Sequence, residues 1–213
     1  MPLRMYETIY ADILASAKTI GLSSSERDGR LDSAMKEGPF LIELKHLLIE
    51  KHPDWVIDIP KERSWCDIIV QTIPINLKLT EAKSSDNCAN KRAIFFSITG
   101  SKEYPYSSTW NDLYDKLTTT PVKSHRDKMT EYHYLVKNKL TGDVLLKAIF
   151  DIHTYVSNPS NDLQINWKNE FAHLDYQGDS KKMYELLNCL QTSVKAMIER
   201  TARFANADLS LVK

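Results

Sequence analysis

The chain contains 213 residues, of which 28 are Lys or Arg and 28 are Asp or Glu, so its formal net charge is +0. Apolar residues make up 42%, which is typical of a globular protein, and the balanced charge argues against a sequence-blind nucleic-acid coat. No apolar run approaches the roughly 20 residues that cross a bilayer, and residues 1–7 do not resemble a secretory signal. The cysteines Cys66, Cys88 and Cys189 form no CxxC pair, which is typical of reduced cytoplasmic thiols. We therefore expect a cytoplasmic protein without a membrane partner, folded as a single domain over 1–213.

Two amphipathic helices are predicted at the start of the chain. Apolar residues recur at helical spacing over 1–22 and again over 31–52, where Pro39 predicts either a kink or a later helix start. The periodicity then changes to two, which is typical of half-buried strands. The strands are predicted at 55–59, 66–70 and 73–80.

The second half of the chain is predicted to contain short helices, a hairpin and a long final helix. Polar loops are expected at 84–91 and at 118–128, and the second of these is rich in basic residues. Helices are predicted at 93–98, 110–117 and 180–204, hairpin strands at 132–137 and 144–153, and a last strand at 163–167. This order predicts an α/β (α+β) fold, in which helices flank a central mixed β-sheet. We place the core of the molecule at about 31–100, with the hairpin and long helix at about 130–206.

The most informative stretch lies within the second and third predicted strands. A period of two places Asn76 and Lys78 on one face of a strand. A tight turn at Gln71 and Thr72 would set Asp67 opposite Asn76, although this turn lacks the usual Gly or Asn. The sequence therefore predicts a carboxylate, an amide and an ammonium group on one face of the sheet.

Such a cluster suits metal-assisted phosphate chemistry. The carboxylate of Asp67, the amide oxygen of Asn76 and the backbone carbonyl of Leu77 are hard oxygen ligands of the kind that Mg²⁺ prefers. The ammonium of Lys78 would orient or help deprotonate a water beside a phosphate and would stabilise the charge of a pentacovalent phosphorus. In isolation the pattern is weak, because short Asp…Asn-x-Lys patterns also arise by chance on half-exposed strands.

These residues resemble the D-(x)n-(D/E)-x-K signature of the PD-(D/E)XK nuclease superfamily. The segment Ile75-Asn76-Leu77-Lys78-Leu79-Thr80 is similar to the motif strand of type II restriction endonucleases of the EcoRV and HincII kind, over about 37–100. The resemblance implies a restriction-endonuclease-like core, with Asp67 as the first metal-binding acid, Asn76 at the second motif position and Lys78 as the motif lysine. It also implies Mg²⁺ as the cofactor, double-stranded DNA as the partner and a homodimer in a bacterial cytoplasm.

Two departures from the family pattern leave alternatives open. Cys66 stands where a proline is common, and Asn76 stands where the family carries its second acid. Glu81-Ala82-Lys83 offers a rival E-x-K, but Glu81 is in phase with the apolar side of the strand, so we favour Asn76 and Lys78. The predicted function is cleavage of both strands at a short palindromic site. A nicking or repair nuclease, a degenerate DNA-binding protein and a protein unrelated to DNA are the alternatives.

The second predicted helix offers a further acid for the site. Counting 100° per residue, Glu37 falls among Phe40, Leu44 and Leu48 on the apolar face, whereas Glu43 lies at its border. An acid that faces inward is costly unless it is paired or binds a metal ion. The family has a helix acid near its metal site, so we take Glu37 as the first candidate and Glu43 as the second, with a surface acid as the alternative.

Candidate DNA-binding residues follow the motif strand directly. Short polar side chains can contact base edges or phosphates, and lysines can neutralise phosphates. An ordinary polar turn remains an equally good interpretation of this segment. The candidates are Lys83, Ser84, Ser85, Asn87, Asn90, Lys91, Lys102 and Tyr106. The basic loop with Lys123, His125, Arg126 and Lys128 is a weaker candidate, for which we favour a solvated loop.

Overall fold

The computed structural model describes residues 2–22, 29–61, 64–83, 85–87, 90–104, 109–123, 126–160, 162–179 and 181–206. The helices are α1 (Pro2–Thr19), α2 (Gly29–Lys51), α3 (Lys91–Thr99), α4 (Trp110–Thr119), α5 (Trp167–Ala172) and α6 (Lys182–Ala205). The strands are β1 (Ile57–Asp58), β2 (Ile68–Val70), β3 (Ile73–Thr80), β4 (Ser85–Asn87), β5 (His133–Asn138), β6 (Val144–Ala148), β7 (Tyr155–Asn158) and β8 (Asp162–Asn166). Short 3-10 helices span Lys128–Thr130 and Ile149–Asp151.

A mixed five-stranded sheet lies at the centre of the molecule. Its strand order is β1-β2-β3-β5-β6, in which β3 and β5 run parallel and every other neighbouring pair is antiparallel. A parallel pair needs a long crossover, and here the chain between β3 and β5 contains β4, α3 and α4. The predicted α+β fold with a mixed sheet flanked by helices is confirmed.

Alternation along β3 separates two hydrophobic cores on the two faces of the sheet. Ile75, Leu77 and Leu79 are buried in one core, where they join apolar side chains of α1 and α2. The other core contains residues of β5, α3 and α6 together with the fully buried Trp167. Asn76 and Lys78 lie on the alternate positions of β3 and are half-buried. The same period of two that predicted their common face therefore keeps their polar groups out of the first core.

A second sheet of three strands lies beside the second core. Its order is β4-β8-β7, and both pairings are antiparallel. The sequence predicted only a polar loop at 84–91, but Ser85–Asn87 pairs with β8 across that segment. Strand β7 and helix α5 were also missed, because a four-residue strand and a six-residue helix are too short to show a clear period.

Several other boundaries differ from the prediction. Helix α2 begins at Gly29 and is continuous through the exposed Pro39, so the proline does not start the helix. The second hairpin strand ends at Ala148 and is followed by a 3-10 helix instead of continuing to His153. The predicted solvated basic loop is wrong for three of its residues, of which Lys123 is half-buried and donates to the hydroxyl of Thr130 at 3.0 Å. The guanidinium of Arg126 bonds Glu131 and Asp151, and the ammonium of Lys128 bonds Asp151.

Within the described ranges, no helix combines the length and the apolar character that a transmembrane segment requires.

Candidate active site

The β2–β3 hairpin brings the motif residues together. Its ladder pairs Ile68 with Ile75 and Val70 with Ile73, and just beyond the ladder the side chain of Asp67 contacts that of Asn76. The two-residue turn is possible without Gly because Gln71 adopts a positive φ of 57°. The predicted register of this hairpin is confirmed.

The carboxylate of Asp67 lies where β2 begins and is held by its partner strand. Its Oδ2 accepts a hydrogen bond from the backbone N–H of Leu77 at 2.7 Å and another from Nδ2 of Asn76 at 2.7 Å. The backbone N–H of Asp67 donates to the carbonyl of Ile75 at 2.9 Å. These three bonds hold the carboxylate against β3. The role of the Leu77 N–H was missed from the sequence, because any residue at this position has the same backbone donor.

Glu37, Asp67 and Lys78 share one electrostatic environment. Burial raises the pKa of Glu37, the charge of Lys78 opposes this increase, and the charge of Asp67 adds to it. Burial likewise raises the pKa of Asp67, against the effects of the Leu77 N–H and of the Lys78 charge. The charges of Asp67 and Lys78 on the hairpin therefore act on the first helix candidate, Glu37.

The second helix candidate does not join this group. Glu43 is exposed, and its charge acts on Lys137, whose pKa burial lowers and Glu43 raises. Lys137 is buried beside the end of α1, where its ammonium donates to backbone carbonyls. Glu43 is thus placed to balance the charge of a structural lysine on the face of the sheet opposite Asn76 and Lys78. Its position at the border of the apolar face is the reason why the sequence could not separate it from Glu37.

The rival E-x-K lies outside the motif strand. Glu81 follows the last residue of β3, and Ala82 adopts a positive φ of 54°, so the strand does not continue through this segment. The carboxylate of Glu81 pairs with the ammonium of Lys83 at 2.7 Å, and Lys83 is 71% exposed. This pair lacks the strand geometry that holds Asp67 and Lys78.

The oxygen atoms near Asp67 are suitable for a magnesium ion. Oδ1 of Asp67 accepts no hydrogen bond from the described residues, and Glu37 supplies a second carboxylate in the same field. The N–H of Leu77 points toward Asp67, and the carbonyl of the same residue points to the same edge of the strand. Mg²⁺ is commonly held by one or two carboxylates with water and substrate phosphate completing its shell, so this donor set fits it.

Softer ligands do not compete for the site. Burial raises the pKa of the neighbouring Cys66 thiol to about 12, so it stays protonated and is a poor metal ligand. No group of three His, Cys, Asp or Glu side chains in the described ranges is arranged to hold a metal ion. A magnesium ion at this site would therefore need oxygen donors from the main chain, water or substrate besides the carboxylate of Asp67.

Two of the predicted DNA contacts are occupied by bonds within the fold. The amide oxygen of Asn90 caps the N-terminus of α3, and its Nδ2 donates to the carbonyl of Trp65. The ammonium of Lys91 lies 3.5 Å from Asp162 and 4.1 Å from the centre of the Trp110 ring. Asn90 thus joins α3 to the segment before β2, and Lys91 joins α3 to β8 and α4.

The remaining DNA candidates are less constrained. Lys102 is exposed and Ser85 is half-buried in β4, while Lys83 keeps its exposed ion pair. For Asn87 only the backbone is described, as part of β4. Ser84, Tyr106 and His125 lie outside the described residues.

The chain matches no protein-family model. No curated protein matches it at a significant level either. The interpretation of the site therefore depends on its own geometry and chemistry.

Proposed function

We propose that this protein is a Mg²⁺-dependent type II restriction endonuclease that hydrolyses phosphodiester bonds in both strands of a short palindromic DNA site. The observation that carries the proposal is the juxtaposition of Asp67 and Lys78 on the β2–β3 hairpin, with Glu37 in the same electrostatic field. This is the arrangement that the PD-(D/E)XK resemblance implies. The absence of any family match makes the site geometry the main support.

Each residue has a distinct part in the proposed reaction. The carboxylate of Asp67 would hold the metal ion, with Glu37 as the second candidate ligand, and the ion would supply polarisation of the scissile phosphate and a lower pKa of a coordinated water. The ammonium of Lys78 positions the attacking water and stabilises the negative charge that develops on the phosphate oxygens. The bonds from Leu77 and Asn76 fix the direction of the Asp67 carboxylate before DNA arrives.

Cleavage of both strands requires two such sites. A palindromic DNA site has two-fold symmetry, so a homodimer with the same symmetry presents one active site to each strand. We therefore include a homodimer in the proposal.

A catalytically degenerate, sequence-specific DNA-binding protein is the second candidate. Asn76 favours it, because the site then contains one carboxylate fewer than the family pattern and has less charge to attract a metal ion. Tight duplex binding without cleavage would distinguish this protein from an active nuclease.

The test is digestion of a phage genome with Mg²⁺ or with EDTA, followed by electrophoresis. We expect discrete bands that require Mg²⁺. We expect the Lys78→Ala variant to cut about 100- to 1000-fold more slowly, because it loses the group that stabilises the developing charge. Lys195→Ala, at an exposed position on α6, is the matched control and should cut normally.

Three outcomes would count against the nuclease. Intact DNA with Mg²⁺ and with Mn²⁺, together with tight binding to a selected duplex, would support the degenerate protein. If Lys78→Ala cut DNA as fast as the wild type, Lys78 would have no part in the reaction and the proposed active site would be wrong. Failure to bind any duplex would argue against both functions.

A further inference from the structure

The side chain of Asn76 presents its amide nitrogen to the carboxylate of Asp67. Nδ2 lies 2.7 Å from Oδ2 of Asp67, and the N–H of Leu77 lies at the same distance from that oxygen. A carboxylate oxygen accepts hydrogen bonds and repels another oxygen, so the amide presents its N–H₂ group to this partner. The amide oxygen of Asn76 is consequently turned away from the carboxylate.

This orientation conflicts with a role for Asn76 as a metal ligand beside Asp67. To coordinate the same ion as Asp67, the amide would have to rotate its oxygen toward the carboxylate and give up its hydrogen bond. Oδ1 of Asp67, in contrast, receives no hydrogen bond from the described residues. The two oxygens of the carboxylate are thus differentiated, since Oδ2 is bonded by two N–H donors and Oδ1 is left for a cation.

We propose that Asn76 is a positioning residue that keeps its hydrogen bond to Asp67 when the site is loaded, and that each site takes a single divalent cation at Oδ1 of Asp67. The proposal deepens the nuclease function and rests on it for the identity of the ion. It replaces the prediction that Asn76 is itself a ligand.

The charge of the site is consistent with a single ion. When Asp67, Glu37 and Lys78 are all ionised, their charges sum to minus one, whereas an acid at position 76 would make the sum minus two. The additional charge would lie beside the carboxylate that already holds the cation. Ligand charge strongly controls the affinity of a divalent cation, so Asn76 limits both the number of ions and the strength of binding.

The first test follows the Asn76 amide directly by ¹⁵N NMR during a titration with Mg²⁺. The Nδ2 resonances are assigned by their loss in Asn76→Ala. We expect the proton bonded to Asp67 to stay shifted downfield and protected at saturation, while resonances of Asp67 and Glu37 move. A return of this proton to the free-amide range would show that the amide has turned to coordinate the ion. A titration that leaves Asp67 and Glu37 unmoved would also overturn the proposal.

The second test counts ions by the electron paramagnetic resonance signal of free Mn²⁺. We expect one Mn²⁺ per wild-type chain, none at this site in Asp67→Ala, and one, more weakly bound, in Asn76→Ala. Asn76→Asp should bind a second Mn²⁺, or bind the first on the order of tenfold more tightly, because of its added charge. Two ions in the wild type, or unchanged binding in Asn76→Asp, would overturn the proposal.

These measurements are independent of DNA cleavage. A protein that cuts DNA while its Asn76 amide turns toward the ion would retain the proposed function and reject the role given to Asn76. A protein that binds one ion as described but never cuts DNA would retain the role of Asn76 and reject the nuclease.

Discussion

His133 is held as a neutral imidazole by contacts from two elements. It is fully buried; its Nδ1 lies 2.9 Å from the carbonyl of Glu131, and its Nε2 lies 3.0 Å from the hydroxyl of Tyr6. A carbonyl only accepts hydrogen bonds, so Nδ1 carries the proton and Nε2 accepts from Tyr6. Burial lowers the pKa of His133 to about 4, against the opposing charge of Glu131.

This environment predicts a specific pH dependence of stability. Between about pH 6.5 and pH 4 the unfolded state binds a proton on this histidine that the folded state does not. The contribution of His133 to the free energy of unfolding is therefore fully present above pH 6.5 and falls by about 3 kcal/mol as the pH drops to 4. NMR titration of the His133 ring is expected to give a pKa of about 4, and a value near 6.5 would contradict the prediction. His46, which is exposed on α2, is the reference histidine in the same spectra.

The choice between Glu37 and Glu43 illustrates the limit of counting along a helix. Both acids lie near the apolar stripe of α2, and the sequence ranks Glu37 first because of its phase with Leu44 and Leu48. In the structure Glu37 is half-buried and its pKa is affected by the charge of Asp67, whereas Glu43 is exposed. The sequence could not show the charge that each acid meets, because that charge comes from another strand.

A buried ion pair connects the central sheet to the second sheet and α5. Lys147 on β6 is 3% exposed and Glu170 on α5 is 0% exposed, and their charged atoms lie 2.9 Å apart. The carboxylate of Glu170 also accepts from the backbone N–H groups of His153 and Thr154, and Lys147 donates to the carbonyl of His173. All these groups depend on one another, because each would otherwise be buried without a partner.

Removing one member of this pair is expected to destabilise the fold strongly. Glu170→Gln leaves the Lys147 ammonium buried without its counter-charge and should lower the free energy of unfolding by about 3 to 5 kcal/mol. The control Glu199→Gln removes the partner of Arg203 in an ion pair that is exposed on both sides, and it should cost about 1 kcal/mol or less. Guanidinium unfolding of both variants measures the difference. If the two variants lost similar amounts of unfolding free energy, burial would not make the Lys147–Glu170 pair more important for stability than an exposed pair.

The elements themselves were predictable to different degrees. Strand β3 matches its predicted bounds because alternation over eight residues gives a long, regular signal. The long helices α1, α2 and α6 were found for the same reason, through several turns of an apolar stripe. Strand β4 was not predicted, because a polar three-residue strand is stabilised by its pairing with β8, which lies far away in the chain.

Lys137 connects the N-terminal helix to the middle of the central sheet. Its ammonium donates to the carbonyl of Ala17 at 2.9 Å, to that of Lys18 at 3.3 Å and to that of Ile20 at 2.6 Å. The last carbonyls of a helix have no partner within the helix, so a cation at this end satisfies them and interacts favourably with the helix dipole. Lys137 therefore caps α1 from β5, across about 120 residues of sequence.

Loss of this contact should loosen α1 from the rest of the molecule. Lys137→Met keeps the apolar part of the side chain but leaves the carbonyls without their donor, and we expect a loss of about 2 kcal/mol in the free energy of unfolding. Amide hydrogen exchange should become faster in α1 than in β3. Lys18→Met, at an exposed position of the last turn, should change either measurement little. Unchanged exchange in α1 would contradict the proposed connection.

The sequence by itself determined the local features of this protein. Period and turn length were enough to predict the motif strand, the register of the β2–β3 hairpin that brings Asp67 beside Asn76, and the common face of Asn76 and Lys78, because each depends on residues close together in the chain. Only the tertiary structure decided which groups those side chains meet. The charges that act on Glu37, the bond from Asn90 to Trp65 and the ion pair of Lys91 with Asp162 all depend on elements brought together by folding. Hydrogen bonds and electrostatic interactions act over a few ångströms in space, whatever the separation along the chain, and no pattern in the sequence reports that distance.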